Sequence, residues 1–109
     1  MEMKNIPFGI TNWEKIEKVE HKGETGTSIW RTLQFDDIRV RVVEYSPGYA
    51  ANHWCSKGHI LFCLEGELKT QTKDGREHVL KSGMSYQVAD NDLAHRSSTK
   101  TGAKLFIVD

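Results

Sequence analysis

From Ser28 onward the chain is a succession of short runs in which apolar and β-branched residues alternate with polar ones: "SIWRTLQF", "IRVRVVEY", "HILFCLEG", "ELKTQTK", "REHVLK", "MSYQVAD" and "AKLFIVD". Between them stand the turn-forming groups "DD", "SPG", "KG", "EG", "KDG", "KSG" and "TG". Period-two alternation bounded by Gly, Pro, Asp and Ser predicts strands, and this many short strands at such spacing predicts an all-β sandwich or barrel. In "IRVRVVEY", Ile38, Val40 and Val42 alternate with Arg39, Arg41 and Val43. That predicts a strand with one buried face and with Arg39 and Arg41 on its outer side; an arginine pointing inward instead would be placed to clamp a carboxylate. Asp74-Gly75 within "TKDGRE" predicts a tight hairpin through a positive-φ turn. Only "NWEKIEKVEH" has any helical character, and it is expected to be a strand or a short irregular arm. No low-complexity tract or long internal repeat interrupts the pattern.

Composition narrows what such a fold would be for. The 109 residues are 38% hydrophobic and 28% charged, as in one compact domain with a single core. Fifteen Lys and Arg balance fifteen Asp and Glu, so no net field would recruit nucleic acid or an anionic membrane. The basic residues are scattered, which argues further against nucleic acid. A small molecule or another protein is the expected partner. Neither a signal-peptide core nor an uncharged run long enough to span a bilayer is present, so the expected location is the cytoplasm. There the two cysteines, Cys55 and Cys63, would remain thiols.

The candidate chemistry lies in "GYAANHWCSKGHILFCLEGEL", residues 48–68, where His53, Cys55 and His59 fall within seven positions. On an extended strand His53 and Cys55 would project from the same face, roughly 6 to 7 Å apart along the chain, and "SKG" would let His59 open the next strand close by. Cys63, roughly 13 Å further along that strand, is too distant and is assigned to core packing. Imidazole and thiolate make a borderline-soft donor set suited to zinc, iron, nickel or copper, with zinc the first choice for a tetrahedral site. Of the other histidines, His21 and His78 sit in charged, solvent-like contexts. His95, at the start of a strand after the polar loop "ADND", is the better fourth ligand.

These motifs resemble those of the cupin superfamily. In the first cupin motif a Gly precedes His-x-His, a Glu follows three or four residues later, and a Gly closes it; here His53 takes the first His place, Cys55 the second, His59 the Glu place and Gly66 the closing Gly place. The second motif resembles Gly83, the turn "ADND" and His95, although this turn lacks the family's proline and glycine. The run "RVRVVEYSPGYAANHWCSKGHILFCLEGEL", with "GMSYQVAD" and "HRSS", further resembles the small single-domain DHCW-motif cupins, with Asn52-His53-Trp54-Cys55 at the naming position. The resemblance implies a cupin-type double-stranded β-helix (jelly-roll) barrel over about residues 28–108, an N-terminal arm over 1–27, one domain in all, and a homodimer.

Two functions are compatible with this reading. One is a small metalloenzyme acting on a small oxygen-rich molecule, with the ion on His53, Cys55, His59 and His95 as Lewis acid and Tyr86 as a proton donor or orienting group. The other is a non-catalytic module that binds or senses a small molecule, metal or redox state and keeps its metal for structure. Four protein ligands would close a tetrahedral site, whereas an enzyme needs an exchangeable position with a pocket beside it.

Overall fold

The structure is a computed structural model that describes residues 3–109. After a 3-10 turn at Trp13–Lys15 come eight strands: β1 (Val19–Lys22), β2 (Thr27–Phe35), β3 (Ile38–Tyr45), β4 (His59–Thr72), β5 (Glu77–Lys81), β6 (Ser85–Val88), β7 (His95–Ser98) and β8 (Ala103–Val108). The short turn sits where "NWEKIEKVEH" has its helical character, started by the Asn12 side chain accepting from the Glu14 N–H, and the remainder of that stretch becomes β1. All pairings are antiparallel, in the order β1-β2-β3-β8-β4-β5, with β6 and β7 also paired to β4. The fold is all-β, as the strand rhythm predicts, and of the sandwich and barrel that the rhythm allowed it is the barrel implied by the resemblance. Among the described residues no helix is long and apolar enough to cross a membrane.

β4 organises the barrel because it serves both of its sheets. Its first half, His59–Phe62, pairs with β6 and β8; its second half, from Glu67 on, pairs with β5 and β7. "HILFCLEG" and "ELKTQTK" are thus one bent fourteen-residue strand rather than two strands joined by a turn. Leu64 is a bulge, left unpaired where the register against β8 slips between Cys63 and Glu65, and Gly66 follows it opposite Ala103. Such an extra residue bends and twists the strand without ending it. The Asp74-Gly75 hairpin forms as expected, with Gly75 at φ 91° and the Thr72 and Arg76 backbones closing it.

The interior is packed by Val43, Leu61, Cys63, Leu68, Leu80, Leu105 and Ile107, with Trp30, Tyr45 and Tyr86 against them. Cys63 is fully buried, as its assignment to packing required. β3 corrects one expectation: the register pairs Arg41 with Ile107 and Val43 with Leu105, so Arg39, Arg41 and Val43 face inward while Val40 and Val42 face outward. Both faces of this strand are covered. Val42 is buried on the outer side, where its cross-strand neighbour Phe106 receives the edge of the Trp13 ring at 6.1 Å. Alternation therefore identified the strand but not its buried side, because Ile and Val are equally satisfied under a covering arm.

A candidate metal centre

Three of the four histidine and cysteine ligands expected from sequence converge at one end of the barrel. Cys55 lies in the loop between β3 and β4, and its main chain exchanges two hydrogen bonds with His95, the first residue of β7, at 2.8 and 3.0 Å. Residues paired in this way project their side chains from the same face, so Cys55 and His95 are neighbours by backbone design. His59 opens β4 opposite Val88. The segment between Cys55 and His59 is fastened to the "ADND" turn: Gly58 donates to Asp90 Oδ1 at 2.7 Å and Asn91 N–H to the Ser56 carbonyl at 2.8 Å. Gly58 is needed there because a Cβ would fall 2.5 Å from the Asp90 nitrogen. Trp54, the residue before Cys55, has both Lys73 and Arg96 over its ring, each 4.5 Å from the centroid. Such cation–π contacts stabilise by about 0.5–1 kcal/mol each where they are solvent-accessible.

One ligand atom from each of Cys55, His59 and His95 lies within 4.8 Å of the others. The two imidazoles meet Nε2 to Nε2 at 2.8 Å. His95 is buried, with its Nδ1 2.8 Å from the Leu93 carbonyl. Since a carbonyl only accepts, Nδ1 carries the proton and the Nε2 lone pair faces His59. Burial lowers the pKa of His95 from its ordinary value, partly opposed by the bond to the Leu93 carbonyl. The ring is therefore held neutral, as a metal ligand must be. Two imidazole nitrogens and a thiol gathered in this way fit a borderline-soft divalent cation and fit calcium or magnesium poorly.

His53 is not part of this group. The chain bends at Asn52 and His53, so the extended geometry that would have set His53 beside Cys55 does not exist there. Its side chain is exposed, with Nδ1 2.6 Å from Asn52 Oδ1. Tyr86 does face the cluster, its hydroxyl 3.3 Å from His59 Nε2. Burial pushes the phenol of Tyr86 far above its ordinary pKa, so it is a neutral hydrogen-bond donor at physiological pH. Beside Tyr86 and His95 opens a cavity of about 250 Å³ whose walls include Thr70, Thr72, Val88 and Leu93.

The sequence reading missed Asp109. Its carboxylate, with no exposed surface, lies 3.4 Å from His59 Nδ1 and is gripped by Arg39 through Nε at 2.8 Å and Nη2 at 3.0 Å, and by Arg41 Nη2 at 3.0 Å. Strand parity carried the signal, since Leu105 and Ile107 face inward and 109 shares their parity. An acid at that position needs interior cations, and Arg39 and Arg41 share the inward parity of Val43. Burial of Asp109 opposes ionisation, but the hydrogen bonds from His59 and Arg39 and the charges of Arg41 and Arg39 outweigh it and hold the carboxylate well below the usual range.

No protein-family model and no curated protein matches the sequence. Solved structures do match the fold. A protein from Thermotoga maritima described as a predicted oxalate decarboxylase superposes with a TM-score of 0.79 at 14% identity, over 92% of this chain and 96% of its own. A cupin-superfamily sugar phosphate isomerase from Silicibacter pomeroyi gives 0.74 at 18% identity, over 92% of this chain and 74% of its own. An RmlC-like cupin from Shewanella frigidimarina gives 0.72 at 19% identity, over 96% and 92%.

Proposed function

We propose that this chain, which has the cupin fold, is a small metalloenzyme that holds a divalent transition metal, zinc first among the candidates, on Cys55, His59 and His95 and acts on a small molecule bound in the adjoining cavity. The observation that carries the reading is the Nε2-to-Nε2 approach of His59 and His95 at 2.8 Å, with the Cys55 sulfur in the same group. Without an ion the pair is a hydrogen bond, an Nε2–H of His59 donated to the Nε2 lone pair of His95; a shared cation would take the place of that proton and hold both nitrogens. Three protein ligands rather than four leave a tetrahedral ion one position for an exogenous oxygen, the pattern of catalytic rather than structural zinc sites. Bound there, the metal would supply Lewis-acid polarisation of that oxygen.

The chain's own residues do the rest. Tyr86 offers a neutral hydroxyl next to His59, suited to hold or orient a polar atom of the bound molecule. Thr70, Thr72, Val88 and Leu93 bound a space of about 250 Å³, which limits that molecule to a small one. The stretch Asn52-His53-Trp54-Cys55 supports placing the chain with the DHCW-motif cupins.

Cobalt substitution tests the reading. The cobalt form is expected to show intense four-coordinate visible bands and a thiolate-to-metal band in the near ultraviolet. Cys55→Ser should abolish the latter, His95→Ala should remove most of the metal, and His53→Ala should leave content and spectrum as in the parent. Azide or a small alcohol should perturb the visible bands through the open position. A parent that takes up no metal, or a spectrum indifferent to every small ligand, would refute the enzyme reading.

A further inference from the structure

His59 turns one nitrogen toward the cluster and the other toward Asp109, and Asp109 is held with more care than a surface ion pair. Its backbone exchanges hydrogen bonds with Arg39, the Asp109 N–H reaching the Arg39 carbonyl at 2.9 Å. Its two carboxylate oxygens meet three guanidinium nitrogens from two arginines. Arg39 and Arg41 are themselves set against the Trp30 ring, at 5.5 and 4.4 Å from its centroid. The carboxylate is thus fixed in position and direction, and the group left for it to serve is the Nδ1 of His59 at 3.4 Å.

We propose that Asp109 is the positioning residue of the metal centre: it accepts the Nδ1–H of His59 and so fixes the tautomer and ring orientation that present Nε2 to the ion. The inference rests on the metal reading above. Asp109 does not itself reach the ion, because it lies against the side of the ring opposite Nε2. A buried carboxylate on the remote nitrogen of a ligating imidazole locks the tautomer and raises the ligand's basicity. His95 achieves the same with the Leu93 carbonyl. The two imidazoles are thus oriented by different devices, one by a neutral main-chain group and one by an anion, and the anionic device makes His59 the stronger donor. Arg39 and Arg41 keep the carboxylate ionised and stop it from turning away, which gives two inward-facing arginines of β3 a purpose at the site.

Zinc affinity by chelator competition and long-range proton–nitrogen NMR of the histidine rings test this together. In the zinc-loaded parent, His59 should show a protonated Nδ1 and a ligated Nε2, and Asp109→Ala should weaken zinc binding by about 10- to 100-fold and shift the His59 Nδ1 resonance. Loss of the arginine pairs alone would lower stability but would not move that resonance. Should Asp109→Ala fail to fold, the parent spectrum decides: a protonated Nε2 or a ligated Nδ1 on His59 overturns the proposal. An Asp109→Ala protein that folds and binds zinc within about threefold of the parent overturns it as well, while Cys55→Ser losing zinc in the same assay would leave the metal reading standing. A parent that binds no zinc overturns both.

Discussion

Replacing Gly66 by alanine should destabilise the barrel far more than the same change at Gly48, although the two glycines have nearly the same backbone. Their φ angles are 79° and 81°, both in the left-handed region where a Cβ costs about 1–2 kcal/mol. Around Gly48 a new Cβ would meet nothing within 4 Å. Around Gly66 it would stand 2.2 Å from the Gly102 carbonyl oxygen, with the Gly102 carbonyl carbon and the Ala103 Cα at 3.0 Å. Those atoms cannot retreat cheaply, because Thr99 Oγ1 ties the Gly102 N–H at 3.1 Å to the Glu67 carbonyl at 2.7 Å. Opening the contact by about 1 Å therefore strains the strand itself, and overpacking of this kind costs about 1–3 kcal/mol.

The expected losses are about 1–2 kcal/mol for Gly48→Ala and about 2–5 kcal/mol for Gly66→Ala, the latter a fall in Tm of about 8–20 °C for a chain of this size. Urea unfolding of the metal-free proteins, at equal m values, measures both. Equal losses within about 0.5 kcal/mol would refute the argument that close approach to the Gly102 carbonyl, rather than positive φ, is what requires glycine at 66.

Two further tests address other parts of the molecule. Burial pushes the Tyr45 phenol far above its ordinary pKa, while an unfolded tyrosine ionises near about pH 10. The raised folded pKa means the Tyr45 contribution is whole below about pH 10 and is lost as pH rises past it, so Tyr45→Phe, which keeps the ring stacked 4.1 Å from Tyr49, should flatten the alkaline loss of stability; an unchanged slope would refute this. On the outer face of β4, Ile60, Phe62 and Leu64 are 52%, 40% and 37% exposed, an apolar row expected to be covered by a second copy of the chain. Light scattering should report a dimer that Phe62→Asp converts to monomer, and a monomeric parent would remove the idea.

The strands and their turns were legible because alternation and turn chemistry are local. What was not legible depended on contacts far along the chain. Arg39 and Arg41 face inward only because Asp109, seventy and sixty-eight residues away, is there to meet them. His53 was placed by the assumption that the chain stays extended up to Cys55, and the bend at Asn52-His53 breaks it. Cys55 and His95 are brought together by something the sequence does not display, the isolated backbone bridge between them. His59 was found from its spacing, but the anion behind it was not.

Parity along each strand, applied to polar residues as strictly as to apolar ones, would have recovered much of this. On the inward parity the interior runs from Val43, Leu61, Cys63 and Leu105, all of them buried, to Arg41, His59 and Asp109 at the other end of the same three strands. Burying a positive and a negative group in a barrel this small is tolerable only if each finds a partner, and two imidazole nitrogens 2.8 Å apart need a proton or a cation between them. Pairing disposes of the first requirement inside the protein, through Arg39, Arg41 and Asp109. The second has two solutions, an Nε2–H of His59 donated to the His95 lone pair or a cation shared by both rings, since His95 has already committed its own proton to Leu93. Only a cation also engages the Cys55 sulfur that lies in the same group, and for that reason the polar end of this barrel is a candidate metal site.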